Sequence, residues 1–182
     1  MKVIETGFDG LVIIEPGVYE DSRGYFFESF NLEAFMQAGI NFSPVQDNES
    51  KSSHGVIRGL HYQLNPVAQA KLIRVIEGRI LDVAVDLRTA SPTFGKWLGI
   101  ELDSDSKKQL FIPRGFAHGF SVLSQSAIIL YKCDNFYSPE HERGILYNDP
   151  ALSIDWKVGP SQEIISRKDM TNPVFARSEM NF

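Results

Sequence analysis

The sequence predicts an all-β protein, a sandwich or barrel of many short strands, on three observations. Apolar and β-branched runs follow one another from Pro44 to Cys133. Turn residues separate them at intervals typical of sandwiches and barrels. A helix-like stretch with both start and stop signals occurs once before the C-terminal part, at Leu32 to Ala38, with Asn31 as N-cap and Gly39 as the stop.

In chain order, Leu11 to Ile14 is a β-rich run ending at Glu15-Pro16, and Asp21-Ser-Arg-Gly24 is a turn leading into a strand at Tyr25 to Phe30. After the helix, strands are expected at Val45–Asn48, Val56–Gln63 and Leu72–Ile76. A turn at Glu77-Gly78 then precedes Arg79–Leu87. There Leu81, Val83, Val85 and Leu87 alternate with Asp82, Ala84 and Asp86, which predicts a strand with one face in the core. Trp97–Leu102, Gln109–Ile112, Gly119–Leu123 and Ala127–Cys133 continue the series. Beyond Tyr137-Ser-Pro139 the pattern loosens into a tail expected to wrap the barrel and close one end of it.

At 182 residues the chain is expected to form one domain, residues 1 to 182, with a core of its own. A single cysteine, Cys133, fits a reducing compartment, and no apolar run resembles a signal peptide or a membrane span, so a cytoplasmic location is expected. A formal net charge of -5 argues against general affinity for nucleic acid or an anionic membrane; an anionic ligand would need local counter-charges.

The stretch Arg58-Gly-Leu-His-Tyr-Gln-Leu-Asn-Pro-Val-Ala-Gln-Ala-Lys71 has the chemistry of a site. It sets a guanidinium, an imidazole and an amine in one segment bent by Gly59 and Pro66. An imidazole can act as a base, an ammonium can stabilise an oxyanion, and a guanidinium grips phosphate. Together they suit proton abstraction beside a carbonyl on a phosphorylated substrate. In a regular strand Arg58 and His61 would face opposite sides. For both to reach one ligand Gly59 must mark a bulge or twist; otherwise Arg58 belongs to the rim or to a partner's site.

A second motif, Pro113-Arg-Gly-Phe-Ala-His118, resembles the Pro-x-Gly-x-x-His turn of the cupin barrels, in which the His points into the mouth of a jelly roll. The stretch corresponding to the metal-binding signature reads His61-Tyr62-Gln63 with no Glu soon after, a poor divalent site, so no catalytic metal is expected. The fold class is accordingly an all-β, cupin-type jelly-roll barrel with a few short helices and a C-terminal tail closing one end.

These motifs, followed in order by Leu130-Tyr-Lys-Cys133 and Tyr137-Ser-Pro-Glu-His-Glu-Arg-Gly-Ile145, resemble the dTDP-4-dehydrorhamnose 3,5-epimerases from about Gly7 to about Asp169. The resemblance implies a cofactor-free homodimer that epimerises C3 and C5 of a 4-keto-6-deoxyhexose on thymidine diphosphate. It implies His61 as base, Asp169 as the carboxylate holding its ring, Tyr131 as the opposing acid and Lys71 as the partner of the enolate oxygen. For the dTDP-sugar it implies Arg23, Glu28, Gln46, Asp47, Asn48, Arg58, Lys71, His118, Glu142 and Lys168, with Asp47 contributing backbone and Tyr137 stacking on the base. Arg23 and Glu28 are expected to reach a neighbouring subunit's pocket. Two alternatives stand beside it: an epimerase of one carbon only, C3 or C5, on a related nucleotide sugar, and a cupin that binds a sugar nucleotide without turnover.

Overall fold

The computed structural model describes residues 1–159 and 161–182, and its strands form two antiparallel sheets packed face to face. In chain order they are β1 (Lys2–Glu5), β2 (Val12–Glu15), β3 (Val18–Asp21), β4 (Gly24–Phe27), β5 (Gln46–Ser53), β6 (Val56–Gln63), β7 (Lys71–Glu77), β8 (Arg79–Asp86), β9 (Trp97–Asp103), β10 (Gln109–Ile112), β11 (Phe116–Val122), β12 (Ser126–Cys133), β13 (Glu142–Gly144) and β14 (Ile164–Ile165). The first sheet runs β1-β2-β10-β7-β12-β5 and the second β13-β6-β11-β8-β9, with β14 added parallel to β6. The crossovers make a jelly roll. The hairpin β3-β4 pairs with neither sheet.

Side-chain alternation sorts the core into layers. Leu11, Ile73, Leu110 and Ile129 from one sheet meet Ile80, Leu102, Phe120 and Val122 from the other between the sheets. Outside the first sheet, α1 (Leu32–Gln37) lays Phe35 over Val12, Leu72 and Phe111. Its start is fixed as expected: the Asn31 side chain accepts from the Ala34 amide at 3.1 Å. Phe30, Phe35, Phe42 and Phe111 continue as an aromatic stack, with ring centroids 4.9 Å apart for Phe30–Phe35 and 5.3 Å for Phe42–Phe111.

Strand β8 departs from its sequence reading. Its alternation was expected to separate a core face from a solvent face, yet Asp82 and Asp86 are both 0% exposed. Both faces of the strand are covered: Ile145, Leu152, Trp156 and Phe182 of the tail pack with Leu81, Val83 and Val85 on the outer face, while Asp82 and Asp86 share the inner face with Ile80 and Ala84, between the sheets. Each then needs a partner. Asp86 takes Arg88, Ser91 and Thr93, which more than offset burial and hold its carboxyl at about 2.

The tail thus wraps the barrel as expected, and it lines the mouth through β14 and the helix α2 (Arg167–Met170). His118 lies within β11 rather than in the turn that precedes it. The register of β6 on β11 shows how Arg58 and His61 come to share a side. His61 pairs with His118 and Arg58 with Phe120, so Gly59 and Leu60 together face the single Gly119. This is the bulge that the sequence called for.

Gly59 has φ +127°, and a Cβ there would stand 2.6 Å from the Cα of Gly119 and 2.9 Å from the carbonyl oxygen of His118. Backbone cannot move aside as a side chain can. Gly59→Ala is therefore expected to cost about 2–3 kcal/mol of stability, read as a lower urea midpoint. A midpoint equal to the wild type's would show that the bulge tolerates a side chain.

Candidate active site

The two sheets open at one end into a cavity of about 500 Å³, lined among others by Arg58, His61 and His118 from the second sheet and by Ser50, Lys71 and Tyr131 from the first. A second cavity of about 320 Å³ shares His61, Lys71 and Tyr131 and adds Gln46, Asn48, Tyr137 and Glu142. His61, Lys71 and Tyr131 thus form the common wall of both spaces. The ring of His61 and the phenol of Tyr131 face the same cavities from opposite sheets.

His61 Nε2 lies 2.6 Å from Asp169 Oδ1, and the residues are 108 apart in sequence. The tail achieves this by pairing β14 beside β6 and starting α2 at Ser166, whose hydroxyl accepts from the Asp169 amide at 3.0 Å. Burial works against a charge on Asp169. The hydrogen bond and charge of His61, with the Gly59 amide and Ser166, outweigh it and hold the carboxyl below the ordinary aspartate range. With its folded-state pKa depressed, Asp169 contributes stability that is fully present above about 3.8 and is lost as pH falls through the lower folded value. Urea midpoints of wild type and Asp169→Asn are expected to differ most near neutrality and to converge in that acid window. A gap independent of pH would contradict an ionised Asp169.

Burial pushes the Lys71 ammonium below its ordinary value, against the pull of nearby Cys133, Asp82 and Glu142. An arriving anion would favour its charged form against that burial. Burial raises the Tyr131 phenol, Cys133 adds to this and the Arg58 charge opposes it, so the group carries its proton at neutral pH. His118 Nε2 is 2.6 Å from Asp82 Oδ1, a pair enclosed in the barrel wall. Both histidines therefore commit Nε2 to a carboxylate.

The residues around the second cavity form one network. Lys168 Nζ donates to Glu142 Oε2 at 2.6 Å, and the Tyr137 hydroxyl donates to the same oxygen at 2.7 Å. Burial of Glu142 is overcome by these two bonds, which hold its carboxyl down. Gln46 accepts from the Tyr137 amide at 2.9 Å and donates to Asn48 at 3.0 Å. The side chain of Asp47 points to the other face of β5 and is held by Lys132 Nζ at 2.9 Å.

Arg23 and Glu28 are not brought to the cavities of their own chain. Arg23 sits at the tip of the β3-β4 hairpin with its side chain on Asp21, and Glu28 accepts from Asn31. The sequence reading passed over Asp82, the partner of His118. Its one signal was a carboxylate amid the apolar residues of β8, which in a strand buried on both sides demands a counterpart.

The fold and site define a cupin-type jelly roll in which a His on one sheet pairs with an Asp of the tail and faces a protonated Tyr and a half-buried Lys on the other sheet, an arrangement suited to moving protons. The family model for dTDP-4-dehydrorhamnose 3,5-epimerase matches residues 5–177, and the chain belongs to that family. It is 51% identical over 180 residues to the dTDP-4-dehydrorhamnose 3,5-epimerase of Shigella flexneri, covering 98% of each chain. The crystal structure of the enzyme of that name from Elizabethkingia anophelis NUHP1 superposes with a TM-score of 0.93 at 53% identity, covering 97% of each chain. That of the dTDP-6-deoxy-D-glucose-3,5-epimerase from Legionella pneumophila Philadelphia 1, in complex with dTDP-4-keto-L-rhamnose, gives 0.91 at 49% identity, covering 95% of this chain and 92% of that one.

Proposed function

We propose that this protein converts dTDP-4-dehydro-6-deoxy-D-glucose to dTDP-4-dehydro-L-rhamnose, inverting C3 and C5, as a step of dTDP-L-rhamnose biosynthesis. One observation carries the mechanism: the His61–Asp169 pair and Tyr131 approach the same cavity from opposite sheets. The C4 ketone of the substrate acidifies the hydrogens on both neighbouring carbons, so a single base serves for both. His61 removes each in turn, and Asp169 orients the ring and stabilises the imidazolium. Lys71 holds the enolate oxygen, whose charge grows toward the transition state. Tyr131 returns a proton from the far side, which is what inversion requires. The chemistry calls for no cofactor, because the substrate supplies its own electron sink.

The nucleotide is held by Gln46, Asn48, Arg58, His118, Glu142 and Lys168, with Arg58 gripping the diphosphate and Tyr137 stacked on the base. Arg23 and Glu28 complete a second subunit's site. Tyr19, Tyr25 and Phe26 on their hairpin are 71%, 56% and 71% exposed, an apolar surface that a partner would cover. Sedimentation is expected to show a dimer, and Arg23→Ala to raise KM about tenfold; a fully active monomer would overturn this. The location is cytoplasmic, which cell fractionation checks.

The test of the function is turnover of the 4-keto sugar nucleotide in deuterated water. Deuterium is expected at both C3 and C5 of the product. Label at one carbon alone would make the protein a single-carbon epimerase, and binding without exchange would make it a non-catalytic module.

A further inference from the structure

Strand β5 carries no apolar side chain. Gln46, Asn48, Ser50 and Ser52 are its inward positions, alternating with exposed Asp47, Glu49, Lys51 and Ser53. At about 3.4 Å per residue these four side chains span about 20 Å of the wall. Gln46 and Asn48 border the second cavity, and Ser50 borders the first beside Arg58 and His118.

The two serines are placed differently. Ser52, 7% exposed, accepts a hydrogen bond from Arg58 Nε at 3.1 Å. That contact takes the inner edge of the guanidinium and leaves its two terminal nitrogens to meet an anion as a fork. Ser50 Oγ is buried in the cavity wall and has no hydrogen-bond partner among the described residues. A buried hydroxyl without a partner is costly to the fold, and one facing a cavity beside a guanidinium has a ligand as its natural partner.

We propose that Ser50 and Ser52 form a diphosphate clamp with Arg58. Ser52 is a positioning residue that fixes the guanidinium, and Ser50 donates its hydroxyl to a phosphate oxygen from the next inward position, about 7 Å along the strand. The inference rests on the sugar-nucleotide reading above and deepens it.

The probes are thymidine diphosphate and thymidine monophosphate, titrated into the purified full chain by calorimetry. Ser50→Ala and Ser52→Ala are each expected to weaken the diphosphate about threefold to tenfold and the monophosphate less, so that the preference for the diphosphate shrinks. Ser52→Thr, which keeps the hydroxyl, is expected to restore it. In an Arg58→Ala background Ser52→Ala should add nothing, whereas Ser50→Ala should still weaken binding. Wild-type affinity for the diphosphate in both alanine variants, or an equal loss for the two nucleotides, would overturn the clamp and leave the function standing. A wild-type chain that bound neither nucleotide would overturn both readings.

Discussion

Replacing His61 by Asn is expected to lower kcat about 10³-fold and to abolish deuterium exchange at C3 and C5 alike. Both losses follow from a single base serving two carbons. His118 also lines the cavity, but it is enclosed with Asp82 in the barrel wall, its side chain 9% exposed against 30% for His61. A thousandfold loss is about 4 kcal/mol of activation free energy, more than any one binding contact of the site would supply. Asn is chosen over Ala because Asp169 is 3% exposed, and a buried carboxylate stripped of its donor would confound the result with unfolding. The amide can still donate to it. Affinity for thymidine diphosphate should change by less than about threefold, because the ring is assigned to the sugar end. Exchange at C3 with only C5 silenced would require a second base, and the one-base mechanism would fall.

How much of this could be read from the chain alone depended on whether the signal was local. Val56–Gln63 and Gln109–Ile112 were expected with the bounds they have, because apolar content and flanking turns coincide there. Strand β5 was expected to stop at Asn48 and runs to Ser53, since Glu49 to Ser53 carry no apolar alternation and are made a strand by their ladder to β12. β1 and β3 went unforeseen for a related reason: each has four residues and owes its existence to pairing, with β2 and β4 respectively.

The site divides in the same way. The Arg58–His61 conflict was visible from the period of a strand, and its resolution at Gly59 followed because glycine alone fits that backbone. The link between His61 and Asp169 came from family resemblance, since no spacing rule predicts a contact across 108 residues. Arg23 and Glu28 belong to the β3-β4 hairpin and the residue that follows it. That hairpin pairs with neither sheet of the chain.

Tyr131→Phe should separate proton removal from inversion. Phenylalanine keeps the ring that packs against the barrel core and loses only the hydroxyl, so the fold is expected to persist. Turnover should fall about 10²-fold to 10³-fold. His61 still forms the enolate and returns a proton to the face it came from. In deuterated water the recovered substrate should therefore gain label with its configuration retained while product formation nearly stops. The wild-type phenol can play the acid because burial keeps it protonated at neutral pH, while the Arg58 charge, which favours the phenolate, eases the moment of donation. Removing that charge by Arg58→Ala should accordingly slow inversion more than exchange. A Tyr131→Phe enzyme that formed product at the wild-type rate would assign the acid to another group, and unlabelled substrate would show that His61 cannot form the enolate without the phenol in place.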